Sequence, residues 1–230
     1  MTTSNSLNVK SRLAGMESGL PTRNDYSIMS RPREFNTDLA LDAAVETFWR
    51  NGYEATQVQA LCRAMKLNPG SLYSAFGDKR ELFLLALDRY METISREAIA
   101  RINGEESGLG GIVAYFTQLI GAIVDGKKKW GCLITNSLIE LSVAEPAIKA
   151  KVELHFARLE AAFAVALARA QASGELRKGV GPEAAEFLVC AVQGLNVFAK
   201  TKPSRQRLEH IMWTALSAVA QKPPLKLEQC

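Results

Sequence analysis

From residue 37 to about residue 220, apolar side chains recur three and four positions apart, interrupted by glycine, proline and short polar clusters. The pattern predicts a succession of amphipathic helices. Thr37 is placed to cap a first helix in which Leu39, Ala40, Ala43, Ala44, Thr47 and Phe48 share one face, and Gly52 supplies its exit. A second helix, about 57 to 64, follows Thr56 and turns Val58, Leu61 and Cys62 inward. A third, about 69 to 75, has Asn68 as N-cap and Pro69 at its first position, where a missing N–H costs nothing. Asp78 and Glu81 form a variant capping box that opens a long fourth helix through Leu82, Leu85, Ala86, Tyr90 and Ile94 to about residue 102. The stretch GEESGLGG, residues 104 to 111, reads as a loop. Helices are then expected at about 110 to 125, 132 to 142, 146 to 173, 182 to 200 and 204 to 220, with Pro146, Pro182 and Pro203 near starts and Gly126 and Gly174 just past ends. No strand pattern emerges, so the expected fold is all-α, with about nine helices.

The third helix is unusual, because Gly70, Ser71 and Ser74 are poor helix formers gathered around Leu72 and Tyr73. In LCRAMKLNPGSLYSAF, Leu61, Met65, Leu67, Leu72 and Phe76 supply the apolar contacts of two short helices that cross steeply. That is helix-turn-helix patterning, in which the second short helix enters the major groove and its outer side must stay slim.

Charge alone does not establish a DNA partner. The chain carries 28 Lys plus Arg against 24 Asp plus Glu, a net +4; over residues 31 to 80, the basic and acidic groups nearly balance. Any DNA argument therefore rests on placement. Four cysteines, Cys62, Cys132, Cys190 and Cys230, lie far apart without CxxC spacing, so neither a zinc site nor a disulfide framework is expected. The first 15 residues lack the apolar run of a signal peptide, and no stretch is apolar for long enough to span a membrane. A cytoplasmic protein is expected. Residues 1 to 30 are rich in Ser, Thr, Asn and Gly and read as a disordered extension, with Met29 a candidate native start.

The RPR arm at Arg31 to Arg33, Ala43-Ala44, Phe48, the GYEATQV turn at Gly52 to Val58 and GSLYSAFGDKRELF from Gly70 to Phe83 together resemble the DNA-binding domain of the TetR/AcrR family of bacterial transcriptional repressors. The resemblance is detailed over residues 31 to 83 and architectural beyond them. It departs from the family pattern at Lys66, where glycine is frequent, and at Cys62, where alanine is. The resemblance implies that Tyr73 and Lys79 contact phosphate, with Thr56 and Gln57 doing so from the start of the second helix. Gly70, Ser71 and Ser74 would line base edges, Asn68 is a further candidate DNA contact, and Arg31 and Arg33 would lie in the adjacent minor groove. Bland readings stand beside these: Tyr73 as a packing aromatic, Lys66 as a solvated lysine, the arm as a solvated tail.

The implied organisation is a helix-turn-helix domain over 31 to 83, an effector-binding and dimerisation domain over 84 to 221, and a flexible tail over 222 to 230. PEAAEFLVCAVQGLNVFAK is apolar over most of its circumference, with Glu186, Gln193, Asn196 and Lys200 on one polar stripe. The last helix gathers Leu208, Ile211, Met212, Ala215, Leu216 and Val219. Two copies joined through these helices, about 182 to 200 and 204 to 220, would form a homodimer reading two half-sites about 34–36 Å apart. Cys132, Asn136 and Glu140 recur every four residues behind Trp130, either as a hydrogen-bonded network between helices or as one wall of an effector pocket that Phe116, Gln118 and Phe156 would join.

The expected function is a dimeric, ligand-responsive repressor on a palindromic double-stranded DNA operator, released by a small apolar effector. Two alternatives are a thiol-based redox sensor using Cys132, which follows three lysines that would favour a thiolate, and a helical protein-interaction module. No enzyme is expected: His155 and His210 are the two histidines, with no nucleophile-base arrangement, phosphate-binding glycine loop or clustered metal ligands around them. No cofactor and no metal is expected.

Overall fold

The computed structural model describes residues 35 to 141 and 145 to 222. The expectations for Arg31, Arg33, the N-terminal extension and the tail beyond residue 222 lie outside the described residues. Within them the fold is all-α, as expected: nine helical rods, with an isolated bridge pairing Leu176 and Ala220.

The first rod, α1 (Thr37–Asn51), is capped by Asn36, whose side-chain oxygen accepts the N–H of Leu39, and not by Thr37. It buries Ala40, Ala44, Val45 and Phe48 and ends at Gly52, with φ at 81°. Helix α2 (Val58–Met65) turns Leu61, Cys62 and Met65 inward and stops at Lys66, which adopts the left-handed conformation, φ 57°. A non-glycine residue there costs on the order of 1 kcal/mol. Asn68 then caps α3 (Pro69–Phe76) through the N–H of Ser71, Pro69 stands at the helix start, and Leu72 and Phe76 are buried.

Asp78 and Glu81 close a reciprocal capping box at the start of α4 (Lys79–Tyr90). The expected long helix is there, but its interior contains a π turn, Met91–Ser95, before it resumes as α5 (Arg96–Asn103). Apolar spacing does not reveal one extra residue inside a helix, because a π turn shifts the buried face by a single step.

Helix α6 (Gly108–Val124) starts inside the stretch expected to be a loop. Ser107 caps it through the N–H of Gly110, and the glycines are there for close packing: a Cβ on Gly108 would collide with the backbone of Ala166 and Ala170, and one on Gly111 with the carbonyl of Ile102. Composition alone hid this, since glycine marks loops and tight helix crossings alike.

Helices α7 (Leu133–Leu141), α8 (Pro146–Ala172), α9 (Ala184–Phe198) and α10 (Arg205–Val219) complete the chain close to their expected bounds, with a short 3-10 turn, Ala199–Thr201, after α9. Two apolar clusters form the core. The distal one joins Ile102, Phe116, Phe163, Leu188, Leu195 and Leu216. The proximal one runs from Phe48, Leu61 and Leu72 through Phe83 and Tyr90 to Cys132, Ile134 and Ile148. The core beneath the first three helices thus continues into α7 and the start of α8.

Candidate nucleic-acid interface and its connections

Helix α3 presents a bare outer face: Gly70, Tyr73, Ser74 and Ala75 are exposed, Ser71 is half-buried, and Leu72 and Phe76 anchor the other side. Gly70 does not have positive φ, and a Cβ added to it would make an ordinary contact with the side chain of Asn68. Neither backbone nor packing requires glycine at this position. Gly77 contrasts with it, since φ 72° makes glycine the favoured residue where α3 ends.

Tyr73 is 48% exposed, so its ring is not a core aromatic. The Lys79 ammonium lies 4.4 Å from the centre of the Tyr53 ring and within 3.4 Å of the carbonyl of Glu54, which holds it beside the turn between α1 and α2. Gln57 is exposed at the start of α2, and Asn68 is exposed beside Gly70. Thr56 corrects the sequence reading. It is buried, and its hydroxyl donates to the carbonyl of Gly52, so it fastens the turn and presents no side chain to a phosphate.

The proposed effector residues do not come together in one pocket. Both carboxylate oxygens of Glu140 are used by the turn, accepting the backbone N–H groups of Tyr53 at 3.0 Å and of Glu54 at 2.8 Å. Asn136 donates to the carbonyl of Trp130, and Trp130 packs edge-on against Trp49 with the Arg50 guanidinium 5.2 Å from its ring. Trp130, Asn136 and Glu140 share a surface cleft of about 460 Å³. Phe116 belongs to the distal cluster, Phe156 packs on the proximal one, and Cys132 is buried within it. Gln118 has a buried side-chain oxygen without a hydrogen-bond partner among the described residues.

Cys132 sits in a group that spacing did not reveal. The Tyr90 hydroxyl donates to its sulfur at 3.6 Å, and the ammonium of the half-buried Lys128 donates to the same hydroxyl at 3.1 Å. Burial by itself pushes the thiol up. A hydrogen bond with His155 and the Lys128 charge outweigh it and hold the Cys132 pKa at about 5. Burial also lowers the pKa of Lys128. In sequence, Lys128 reads as one of three solvated lysines, while Tyr90 and His155 lie far from Cys132 along the chain.

Ion pairs tie α4 to α1 on one side and to α8 on the other. Arg89 on α4 reaches Asp42 at 2.7 Å and Asp38 at 3.1 Å on α1, and Arg80 reaches Glu145, just ahead of α8, at 2.8 Å. Lys151 on α8 pairs with Asp88.

Residues 40–86 match the family described as "Bacterial regulatory proteins, tetR family", and residues 108–215 match "Tetracyclin repressor-like, C-terminal domain". The HTH-type transcriptional repressor ComR of Escherichia coli (strain K12) is 31% identical over 188 residues, 81% of this chain and 90% of ComR. The chain belongs to the TetR family of bacterial regulatory proteins. Another relative, the uncharacterized HTH-type transcriptional regulator YezE of Bacillus subtilis (strain 168), is 32% identical over 194 residues, 83% of this chain and all of YezE. Among solved structures, a cysteine mutant of the TetR family transcriptional regulator CifR, complexed with 26bp double-strand operator DNA, superposes with a TM-score of 0.74 at 30% identity over 82% of this chain and 99% of that one. These matches make the chain a transcriptional regulator of the TetR type, with a DNA-binding helix-turn-helix at its N-terminal end.

The relatives are regulators, not enzymes. Among the described residues, no three His, Cys, Asp or Glu side chains form a metal-binding group, and no helix is long and apolar enough to cross a membrane.

Proposed function

We propose that the protein is a ligand-responsive, dimeric repressor that occupies a palindromic operator. In this reading residues 35 to 83 form the reading head, while residues 84 to 221 sense the effector and pair with a second copy. The observation that carries it is the unforced bareness of Gly70: the fold tolerates a side chain there, so the glycine leaves the outer face of α3 free for close approach to the major groove. Gly70, Ser71 and Ser74 line base edges, with Asn68 at the head of the helix, and Tyr73, Lys79 and Gln57 reach the flanking phosphates. CifR, similar to this chain over almost all of its length, is seen on operator DNA, which supports the same partner here.

In this reading pairing uses the outer face of α9, within the helices expected to pair. Leu208, Met212, Ala215, Leu216 and Val219 are buried within this chain, and Gln193 and Asn196, expected on a polar stripe, face inward, Gln193 accepting the hydroxyl hydrogen of Thr135. The apolar surface left outside on α9 comprises Phe187 (46% exposed), Val197 (48%) and the exposed Cys190 and Gly194 between them. A second copy covering this face across a two-fold axis would set two reading heads for the two halves of a palindrome.

The thiol alternative has less support, because Cys132 is 4% exposed and enclosed by Tyr90, Lys128 and His155. Fluorescence anisotropy of the protein on duplex DNA from upstream of its own gene tests the repressor reading. Salt-sensitive, saturable binding to one palindromic segment supports it, and uniform weak binding to every duplex contradicts it.

A further inference from the structure

A cleft of about 570 Å³ opens between the π turn and α8, apart from both the DNA face and the α9 surface. Its volume lies within the range of small-molecule sites. Met91 and Ile99 form one wall, with Ala161, Ala162 and Val165 opposite. The rest of the lining is polar: Ser95, Asn103 and His155, with Glu92, Arg96 and Arg158. Val165 remains 53% exposed on it.

The charges at this cleft do not balance. Arg96 reaches one oxygen of Glu92 at 3.2 Å and Arg158 reaches the other at 3.4 Å, so two guanidinium groups share one carboxylate. One positive charge is in excess beside an aliphatic wall. That pairing suits a molecule with an apolar chain and a single anionic head, because a guanidinium receives a carboxylate through two parallel N–H groups.

We propose that this cleft is an effector site for small amphipathic carboxylates, with the aliphatic chain against Met91, Ile99 and Val165 and the carboxylate held between Arg96 and Arg158. The proposal rests on the ligand-responsive reading above and gives it a ligand class. The location also supplies a route to the DNA face. Met91, Glu92 and Ser95 come from the π turn itself, a widened turn that recurs at functional sites. On its N-terminal side, Asp88 and Arg89 fasten the rod to α8 and α1. A carboxylate that competes with Glu92 for both arginines acts at the joint of this rod, and it shifts the protein between states to the extent that it binds them unequally.

Decanoate is the probe, with isothermal titration on the full chain in the absence of DNA. Saturable binding is expected, weakened at least tenfold by Arg158→Gln and by Val165→Glu, two exposed positions whose substitution leaves thermal unfolding unchanged. Decanol, with the same chain and no charge, is expected to bind at least tenfold more weakly than decanoate. Absence of saturable decanoate binding, equal binding by Arg158→Gln, or equal binding of decanol would each overturn the site. In a second arm, decanoate is added to the protein on its operator. Release supports an effector role, whereas binding without release would overturn that role while leaving the carboxylate site and the DNA reading intact.

Discussion

The carboxylate of Glu140 lies 3.0 Å from the backbone nitrogen of Tyr53, so α7 of the sensing half closes the turn between the first two helices of the reading head. Its other oxygen takes the next N–H, that of Glu54. The two halves are therefore joined by a charge-assisted clasp as well as by the shared core. Glu140→Ala is expected to lower stability by about 1–2 kcal/mol, because two backbone donors lose their acceptor at a partly solvated site. Thermal unfolding measures that loss, and operator affinity should fall with it.

Gly70 and Gly77 should separate function from folding. Gly77→Ala places a side chain at φ 72° and against Glu81, so a loss of on the order of 1 kcal/mol is expected. Gly70→Glu should leave the melting temperature nearly unchanged and abolish operator binding, since its Cβ makes only an ordinary contact with Asn68 and the rest of the new side chain projects from the face that the groove needs.

Tyr73 is exposed, and its removal should be silent in unfolding experiments. Tyr73→Ala is expected to weaken operator binding by about 1–2 kcal/mol, roughly tenfold, through loss of a phosphate contact. Anisotropy titrations at several salt concentrations read both the affinity and the salt slope.

Cys132 should make stability depend on pH. Its pKa in the folded protein is held at about 5, below the ordinary thiol value, so between these two limits the folded state binds fewer protons than the unfolded chain. Its contribution is complete above the ordinary thiol pKa, declines as pH falls, and is gone below about 5. Lys128, lowered by burial, acts in the same direction. Denaturant midpoints measured across this range should rise with pH, and Cys132→Ser should flatten the slope.

If pairing uses the exposed apolar face of α9 as proposed, Phe187→Glu or Val197→Glu should leave the protein monomeric by placing charge on that face. Light scattering reads the mass, and operator affinity should drop with it, since one reading head alone engages one half-site.

The local grammar of the chain was legible in its residues. Asn68, Asp78 and Glu81 fix helix starts through short-range hydrogen bonds, and Pro69 through its fixed φ, all of which spacing alone reveals, and α2 and α3 followed from five apolar positions. Features made by distant segments were not. The glycines of α6 looked like a loop because nothing local shows that Ala166 passes against Gly108. Glu140 shares a helical repeat with Cys132, yet one faces the head's turn and the other is buried beside Tyr90. Thr56, placed at a helix start where hydroxyls often face outward, instead turns inward to Gly52. The π turn left no trace in the apolar spacing, and with it went the cleft that it helps to form.

The most direct measurement is operator binding by the wild-type chain and by Gly70→Glu on duplex DNA from upstream of its own gene, with the melting temperature of each recorded in parallel. Tight binding by the wild type, none by the variant and matching melting temperatures are expected. Equal binding by the two folded proteins would show that α3 does not enter the groove, and would contradict the account at its centre.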